Sequence, residues 1–202
     1  MKLNIGCGFL KMDGYVNIDN QPLCKPDLLA DLSKPWPWED DTVDEIYAHH
    51  VMEHMGETFN DFLFIIKEMY RVSKDGAIWK IIVPHWQNDM FYHDPTHVRA
   101  ISPVTFQMFD QKNNVHDFET YGHQTKLGLF NDIDVEVINS EYILSQPWNS
   151  QKKEGKMTDN DIGFVATNYN NVIHEIQITV KTHKPQRYKG WMEENIDRLY
   201  KK

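Results

Sequence analysis

A histidine-rich motif in the first third of the chain has the spacing of a known type of metal centre. The segment His50-Val51-Met52-Glu53-His54 matches the H-x-x-E-H pattern of zinc peptidases. On a helix, two histidines four residues apart face one metal ion, and the glutamate between them activates the metal-bound water. Five-residue patterns also recur by chance, and the sequence offers no convincing third ligand. We therefore assign no metal to this motif and keep a zinc hydrolase only as an alternative.

A second group of ionisable side chains follows further along the chain. Its members are His85, His93, Asp94 and His97. Pro95 prevents His93 and His97 from stacking on one regular helix, so their spacing alone does not bring them together on a metal. Solvated or structural histidines are the alternative interpretation. Because His85 directly follows a predicted strand, its neutral imidazole could accept a proton from a hydroxyl or amine, which makes it a candidate general base beside His50.

A glycine turn near the N-terminus predicts a ligand-binding loop. The short apolar run Leu3-Asn4-Ile5 leads directly into Gly6-Cys7-Gly8. Glycines suit such a turn because a ligand can approach the backbone closely only where no Cβ intrudes. The dinucleotide-binding pattern would place a third glycine at position 11, where this chain has Lys11. NAD binding is therefore disfavoured.

Two acids stand at the ends of the next two predicted strands. Asp19 could accept hydrogen bonds from both hydroxyls of a ribose, and Asp31 could reach an adenine amino group while Leu32 flanks the ring. The carboxyl ends of adjacent parallel strands lie at one edge of a sheet, so a nucleoside placed there would meet all of these turns. For each acid, a turn or capping role is the alternative.

Short apolar runs and one amphipathic segment predict the elements that position these residues. The runs at 3–5, 15–18, 28–30, 43–48 and 77–83 are typical of short buried strands. Between the last two, apolar residues recur at three- and four-residue spacing over 59–70, which predicts a helix. Thr58 is its expected N-cap and residues 74–76 its expected stop. Strand, helix and strand in this order predict an α/β fold with parallel pairing.

The second half of the chain is less regular, although one domain is expected to span residues 1–202. Residues 85–125 form an irregular insertion rich in histidine and aromatic side chains, with a short helix expected at 102–110. Two further strands are predicted at 133–144 and 172–182. The long connection at 145–171 is either a substrate-covering loop or disordered. In the charged tail at 184–202, a weak apolar stripe predicts a docking helix; it consists of Trp191, Ile196, Leu199 and Tyr200.

Composition excludes several classes of protein. The chain has 202 residues, with 21 Lys and Arg against 30 Asp and Glu, which gives a formal net charge of −9. This balance opposes a large nucleic-acid footprint, because phosphate binding requires concentrated positive charge. Two cysteines are too few for a disulfide scaffold. No apolar run approaches the roughly 20 residues that span a bilayer, and no signal peptide is visible, so a cytoplasmic protein without membrane contact is expected.

Several motifs, read together, indicate a family. They are Leu3 to Gly8, Gly14-Tyr15-Val16-Asn17-Ile18-Asp19, Asp31-Leu32-Ser33-Lys34-Pro35-Trp36-Pro37-Trp38-Glu39-Asp40, Val43-Asp44-Glu45-Ile46, His50 to His54, Val83-Pro84-His85 and Asp94-Pro95-Thr96-His97-Val98-Arg99. With these motifs the chain resembles the class I S-adenosylmethionine (SAM)-dependent methyltransferases. The resemblance covers the first half closely and the rest by strand order.

Two features depart from the family pattern. Asn4 stands where many members have an acidic residue two places before the first glycine. The gap from Gly8 to Tyr15 is too short for a full crossover helix, so one helical turn at 10–13 is expected in its place.

The resemblance implies a fold, a cofactor and site residues. It implies a Rossmann-like sheet, mostly parallel with an antiparallel last strand, and helices on both faces. SAM is the implied cofactor. The residues assigned to its binding are Gly6, Cys7 and Gly8 for backbone approach, Asp19 for the ribose, Asp31 and Leu32 for the adenine, and His49 for a backbone contact after the fourth strand.

The methyl acceptor is not specified by any motif. The fourth strand lacks the Asp/Asn-Pro-Pro-Tyr/Phe motif of DNA base N-methylation, and no Pro-Cys nucleophile is present for cytosine C5 transfer. A nucleic acid is therefore disfavoured, and a small molecule, sugar or protein side chain stays open. No oligomeric state is predicted. The main alternative to an enzyme is a non-catalytic module that binds the nucleoside, for example as a partner subunit.

Overall fold

Seven strands form one mixed sheet in the computed structural model, which describes residues 1–120 and 122–199. They are β1 (Lys2–Ile5), β2 (Val16–Asp19), β3 (Leu28–Leu29), β4 (Val43–His49), β5 (Ser73–Pro84), β6 (Val135–Leu144) and β7 (Ile173–Thr182). Their order across the sheet is β3-β2-β1-β4-β5-β7-β6. Strands β1 to β5 pair in parallel, whereas β7 is antiparallel to both of its neighbours. The predicted α/β class, with a mostly parallel sheet and an antiparallel last strand, is confirmed.

The direction in which the chain adds strands changes next to β1. Strands β2 and β3 lie on one side of it, and the chain then returns to place β4 on the other side. The first strands are buried on both faces, which explains their continuous apolar runs; Leu3, Ile5, Ile18, Ile46 and Ala48 are all fully buried. In open α/β sheets, such a change of direction leaves a crevice outside the carboxyl ends of the strands.

Eight helices and two 3-10 turns are present in the described part of the chain. The helices are α1 (Phe59–Val72), α2 (Asp89–His93), α3 (Pro103–Gln107), α4 (Gln111–Glu119), α5 (Leu127–Asn131), α6 (Trp148–Lys153), α7 (Asp159–Asn168) and α8 (Trp191–Leu199). The 3-10 turns are Pro22–Cys24 and Met52–His54. None of these helices is long and apolar enough to cross a membrane.

Helix α1 forms where the apolar spacing predicts it. Thr58 caps its N-terminus in a capping box with Asp61, which satisfies two backbone N–H groups. Its buried face packs into the core through Phe62, Ile65, Ile66 and Met69. The helix ends at Val72 and the chain enters β5 at the next residue, Ser73. The stop predicted at 74–76 therefore lies inside a strand.

The link between β1 and β2 contains no helical turn at 10–13, in contrast to the prediction. Buried side chains hold it instead. Asn17 accepts a hydrogen bond from the Met12 backbone N–H, and Asn4 donates to the Leu10 carbonyl, both over 2.8 Å. Asn4 also donates to the Asn17 side chain. Side-chain hydrogen bonds to the backbone thus replace the i to i−4 bonds of a helix.

The connection predicted as a loop or disordered at 145–171 contains two helices, α6 and α7. Thr158 and Asp161 form a capping box at the start of α7, a signal that was present in the sequence. In the C-terminal tail, α8 begins at Trp191, whose ring stacks on Phe118 at 5.4 Å between centroids. Tyr200 and the side chains of Ile196 and Leu199, which complete the predicted apolar stripe, lie outside the described residues.

Candidate functional site

A cleft of about 440 Å³ opens at the carboxyl edge of the first four strands. Six residues predicted for a site line it: Gly6, Gly8, Asp19, Asp31, Leu32 and His50. The sequence prediction missed the rest of the lining, which consists of Asn20, Ala30, Ser33, Val51, His54, Met55, Gly56 and Ile65. The volume lies within the range of about 300–1,000 Å³ that is usual for small-molecule sites.

The two glycines of the first turn keep part of the cleft open. Gly6 has a φ of +59°, and a Cβ at this position would lie 2.2 Å from Cγ2 of Val51. Gly8 has a φ of +49°, with open space where its Cβ would be. Both residues therefore occupy the left-handed region that glycine tolerates best. Cys7 between them is buried and does not line the cleft; burial raises the pKa of its thiol.

Asp19 fixes the glycine turn and still has free acceptor capacity. One carboxylate oxygen accepts from the Gly8 N–H and the other from the Gln21 N–H, each over 2.8 Å. A carboxylate has about four lone-pair sites, so further donors can bind. Among the described residues, no Lys or Arg side chain is paired with Asp19. Its free acceptor sites therefore suit the hydroxyl donors of a ligand.

Asp31 and Leu32 line the cleft at the end of β3. The Asp31 carboxylate accepts from the Ser33 N–H over 2.9 Å, and hydrogen bonding by Ser33 lowers the pKa of Asp31. The carboxylate is thus ionised near neutral pH. Leu32 is buried, and its carbonyl accepts from the Trp36 indole N–H over 3.1 Å, which fixes the strand-to-loop transition.

His50 lies at the end of β4 with a φ of +50°, which is uncommon outside glycine. Its Nδ1 is 3.3 Å from a Glu53 carboxylate oxygen, and its Nε2 is 3.4 Å from one of Glu175. The hydrogen bond with Glu53 raises the pKa of His50, although burial opposes the shift. The neighbouring His49 does not line the cleft; its ring lies 4.6 Å from that of His50, and burial lowers its pKa.

His85 lies outside the cleft lining. It is 3% exposed, and its ring stacks on Trp86 with 4.0 Å between centroids. Its Nδ1 accepts from the Gln87 N–H over 3.2 Å, and burial lowers the pKa of the imidazole. His93 and Asp94, which stand near His85 in sequence, do not join it in a cluster. His93 is exposed at the end of α2, and Asp94 accepts a hydrogen bond from Thr96.

The H-x-x-E-H motif does not form a peptidase centre in the described structure. Two sets of side chains lie close enough to share a metal ion. One set is Glu53, His54 and His97, and the other is His49, His50 and Glu175. The two motif histidines thus belong to different clusters. The 3-10 turn Met52–His54 explains this, because its residues do not follow the α-helical i, i+4 spacing. His97 and Glu175 are distant in sequence from the motif, and local patterns did not reveal them.

The comparisons with known proteins agree with this geometry at the level of the fold. No protein-family model matches the chain, and no curated protein is significantly similar to it in sequence. Among solved structures, a SAM-dependent methyltransferase from Archaeoglobus fulgidus superimposes with a TM-score of 0.54 at 16% identity, covering 90% of this chain and 85% of that chain. A Listeria monocytogenes protein assigned as a SAM-dependent methyltransferase gives 0.52 at 11% identity and covers 91% of both chains.

A third structure shows that the fold supports other chemistry. The [4+2]-cyclase SpnF superimposes with a TM-score of 0.51 at 14% identity, covering 90% of this chain and 75% of that chain. The chain therefore has the fold of the class I SAM-dependent methyltransferases, as the motifs predicted. Identities this low establish the fold alone, and the reaction has to be argued from the site.

Proposed function

We propose that the chain binds SAM in this cleft and transfers its methyl group to an acceptor. The observation that carries the proposal is the pair Asp19 and Asp31. Both are carboxylates at the ends of adjacent parallel strands, both line the cleft, and neither is paired with a Lys or Arg of the described residues. A nucleoside has hydroxyl and amino donors that suit two such acceptors.

Each cleft residue has an assigned role in binding. Asp19 would accept from the ribose hydroxyls with the lone pairs that Gly8 and Gln21 leave free. Asp31 would accept from the adenine amino group, and Leu32 would flank the ring. The ligand would contact the backbone groups of Gly6, Cys7 and Gly8, and also the backbone of His49 after β4. When bound, SAM supplies a methyl group activated by a sulfonium leaving group.

Methyl transfer requires mainly alignment and, for a hydroxyl or amine acceptor, removal of a proton. His50 and His85 are our candidates for the proton acceptor. His50 lines the cleft with its Nδ1 held by Glu53, and to accept a proton its Nε2 would have to exchange Glu175 for the acceptor. His85 is buried behind Trp86, so we assign it the weaker claim. A small molecule, sugar or protein acceptor is favoured over nucleic acid by the net charge of −9.

A non-catalytic nucleoside-binding module is the second candidate function. The fold is compatible with it, because the similarity to a cyclase shows that this fold does not dictate methyl transfer. Such a module would bind SAM as tightly as an enzyme and release no S-adenosylhomocysteine. Cofactor binding and turnover must therefore be measured separately.

A turnover experiment tests the proposal. The protein is incubated with SAM carrying a labelled methyl group and pools of small molecules, sugars and peptides, and both S-adenosylhomocysteine and labelled products are followed by mass spectrometry. We expect a labelled product in one pool. His50→Gln should lower turnover about 100- to 10,000-fold with cofactor affinity unchanged. If the larger loss follows His85→Gln instead, the base assignment to His50 is wrong; tight SAM binding without any product favours the non-catalytic module.

A further inference from the structure

Three metal-ligating side chains from two separate parts of the chain meet beside the cleft. Glu53 and His54 belong to the 3-10 turn after β4, and His97 to the segment between α2 and α3. One ligand atom from each lies within 4.8 Å of the other two. The Val98 N–H donates to the Glu53 carbonyl over 2.9 Å and ties the two segments together. Backbone contacts thus hold the three side chains in one place.

The Glu53 carboxylate has an unusual environment for an ionisable group. The residue is fully buried at 0% exposure, and its Oε2 has no hydrogen-bond partner. Its Oε1 lies 3.3 Å from Nδ1 of His50 and 4.0 Å from Nε2 of His97. Among the residues that the structure describes, no Lys or Arg is paired with it. A buried carboxylate loses its hydration, so the unpartnered oxygen indicates that a cation belongs beside it.

The hydrogen bonds of the two histidines determine which ring nitrogen is free. The Thr96 hydroxyl donates to Asp94 over 2.6 Å, so it can only accept from Nδ1 of His54, which lies 2.8 Å away. Nδ1 of His97 is 2.7 Å from the Phe91 carbonyl, which is an acceptor only. Both rings therefore carry their proton on Nδ1 and have a lone pair on Nε2. Metal-binding histidines are typically fixed in this way by a partner on the other nitrogen.

We propose that Glu53, His54 and His97 bind one divalent transition-metal ion, for which zinc is the best match. Two imidazoles and one carboxylate are a known ligand set for zinc sites with an open fourth position, whereas magnesium and calcium prefer oxygen ligands. Tetrahedral zinc places its ligand atoms about 3.4 Å apart, so the side chains must close by at most about 1.4 Å. His54 also lines the cleft, so the fourth position is open to a water or to a group bound there. The site does not depend on the chain being a methyltransferase.

The neighbouring cluster of His49, His50 and Glu175 is a poorer metal site. Both ring nitrogens of His50 already face carboxylates, those of Glu53 and Glu175. One oxygen of Glu175 also accepts from Gln177 over 2.9 Å. A metal ion on His50 would therefore have to displace one of these carboxylates, in contrast to His54 and His97.

Zinc binding to the full chain tests the proposal. The protein is treated with a chelator, desalted, titrated with zinc sulfate in a calorimeter, and analysed for bound metal after gel filtration. We expect one zinc per chain, retained in the presence of millimolar magnesium. Glu53→Gln and His97→Gln should each weaken zinc binding at least about 100-fold, because each removes one of three ligands.

One variant outside the ligand set keeps the test decisive if a ligand variant fails to fold. Thr96→Val removes an exposed hydroxyl that fixes the His54 ring, and it should weaken zinc binding about 10- to 100-fold. His93→Gln and Glu175→Gln are matched controls that should bind zinc like the wild type. The proposal is overturned if the wild type retains no zinc, if Thr96→Val and the folded ligand variants bind it normally, or if the controls lose it.

Discussion

At the amino-terminal edge of the sheet, acids are paired with lysine or arginine, whereas the acids in and beside the cleft at the carboxyl-terminal edge are not. Arg187 bridges Asp110 and Asp134 just before β6, and Arg71 bridges Glu68 and Asp40 at the end of α1. In the described structure, the acids in and beside the cleft contact only histidines and polar or backbone groups; they are Asp19, Asp31, Glu53 and Glu175.

This difference distinguishes stabilising charges from charges available to a ligand. A carboxylate that is paired with a cation and hydrogen-bonded adds to the free energy of unfolding. A carboxylate without a cation, above all a buried one, lowers it, and such groups concentrate at functional sites. We therefore expect substitutions of acids and their partners to have opposite consequences at the two edges.

The largest expected effect is at Arg187. Its guanidinium binds Asp134 in a bidentate fashion over 2.9 and 2.7 Å and Asp110 over 2.8 Å. Arg187→Met would leave two buried carboxylates without a cation, so urea denaturation should show a loss of about 3 to 5 kcal/mol. Arg187→Lys should lose less, because the charge remains while the planar fork is gone. A loss below about 1 kcal/mol for Arg187→Met would contradict the stabilising role of this edge.

A matched pair of glutamates gives the next largest effect. Glu68 accepts from Arg71 over 2.7 and 2.9 Å and from the Trp36 N–H over 2.7 Å. Glu68→Gln should therefore destabilise the protein by about 2 kcal/mol. Glu53→Gln, measured after chelator treatment, should leave the free energy of unfolding unchanged or raise it, because it removes a buried charge with an unpartnered oxygen. Equal losses for the two variants would abolish the distinction between the edges.

The smallest expected effect is a pH dependence at Glu45. Burial alone would raise the pKa of this carboxyl, but hydrogen bonds from Lys80, Tyr15 and Lys2 outweigh it and lower the pKa to about 2. The pKa is thus lower in the folded state, so the stabilisation is complete above the ordinary value of 4.5 and is lost as the pH falls towards about 2. Because Lys2 and Lys80 are half exposed, the contribution is about 1 kcal/mol. Urea midpoints of wild type and Glu45→Gln should differ near pH 7 and converge near pH 2; a constant difference would rule out this ion pairing as its source.

The site residues at the carboxyl edge of the first four strands could be predicted from the sequence, because a local sequence pattern marks each of them. The glycine turn, the strand-end acids and the N-cap at Thr58 each depend on residues a few positions apart. The strand-end positions predicted the nucleoside contacts of Asp19, Asp31 and Leu32, and the resemblance to a family added SAM as the ligand. The structure places all three around one cleft.

The rest of the site could not be predicted, because it depends on contacts between distant segments. Glu175 reaches His50 only because β7 inserts beside β5, and His97 reaches His54 through the loop that Val98 ties to Glu53. Pro95 correctly excluded a helix joining His93 and His97. It carried no information on a partner about 40 residues earlier in the chain.

The central claim is that the unpaired acids of the carboxyl edge bind SAM, and calorimetry with S-adenosylhomocysteine tests it most directly. The titration compares wild type, Asp19→Asn and the control Asp13→Asn, whose acid lies in the link between β1 and β2 without lining the cleft. We predict one binding site in the wild type, affinity weakened about 10- to 100-fold by Asp19→Asn through lost charge-assisted hydrogen bonds, and no change for Asp13→Asn. The account is contradicted if the wild type does not bind at millimolar ligand, or if Asp19→Asn binds as tightly as the wild type.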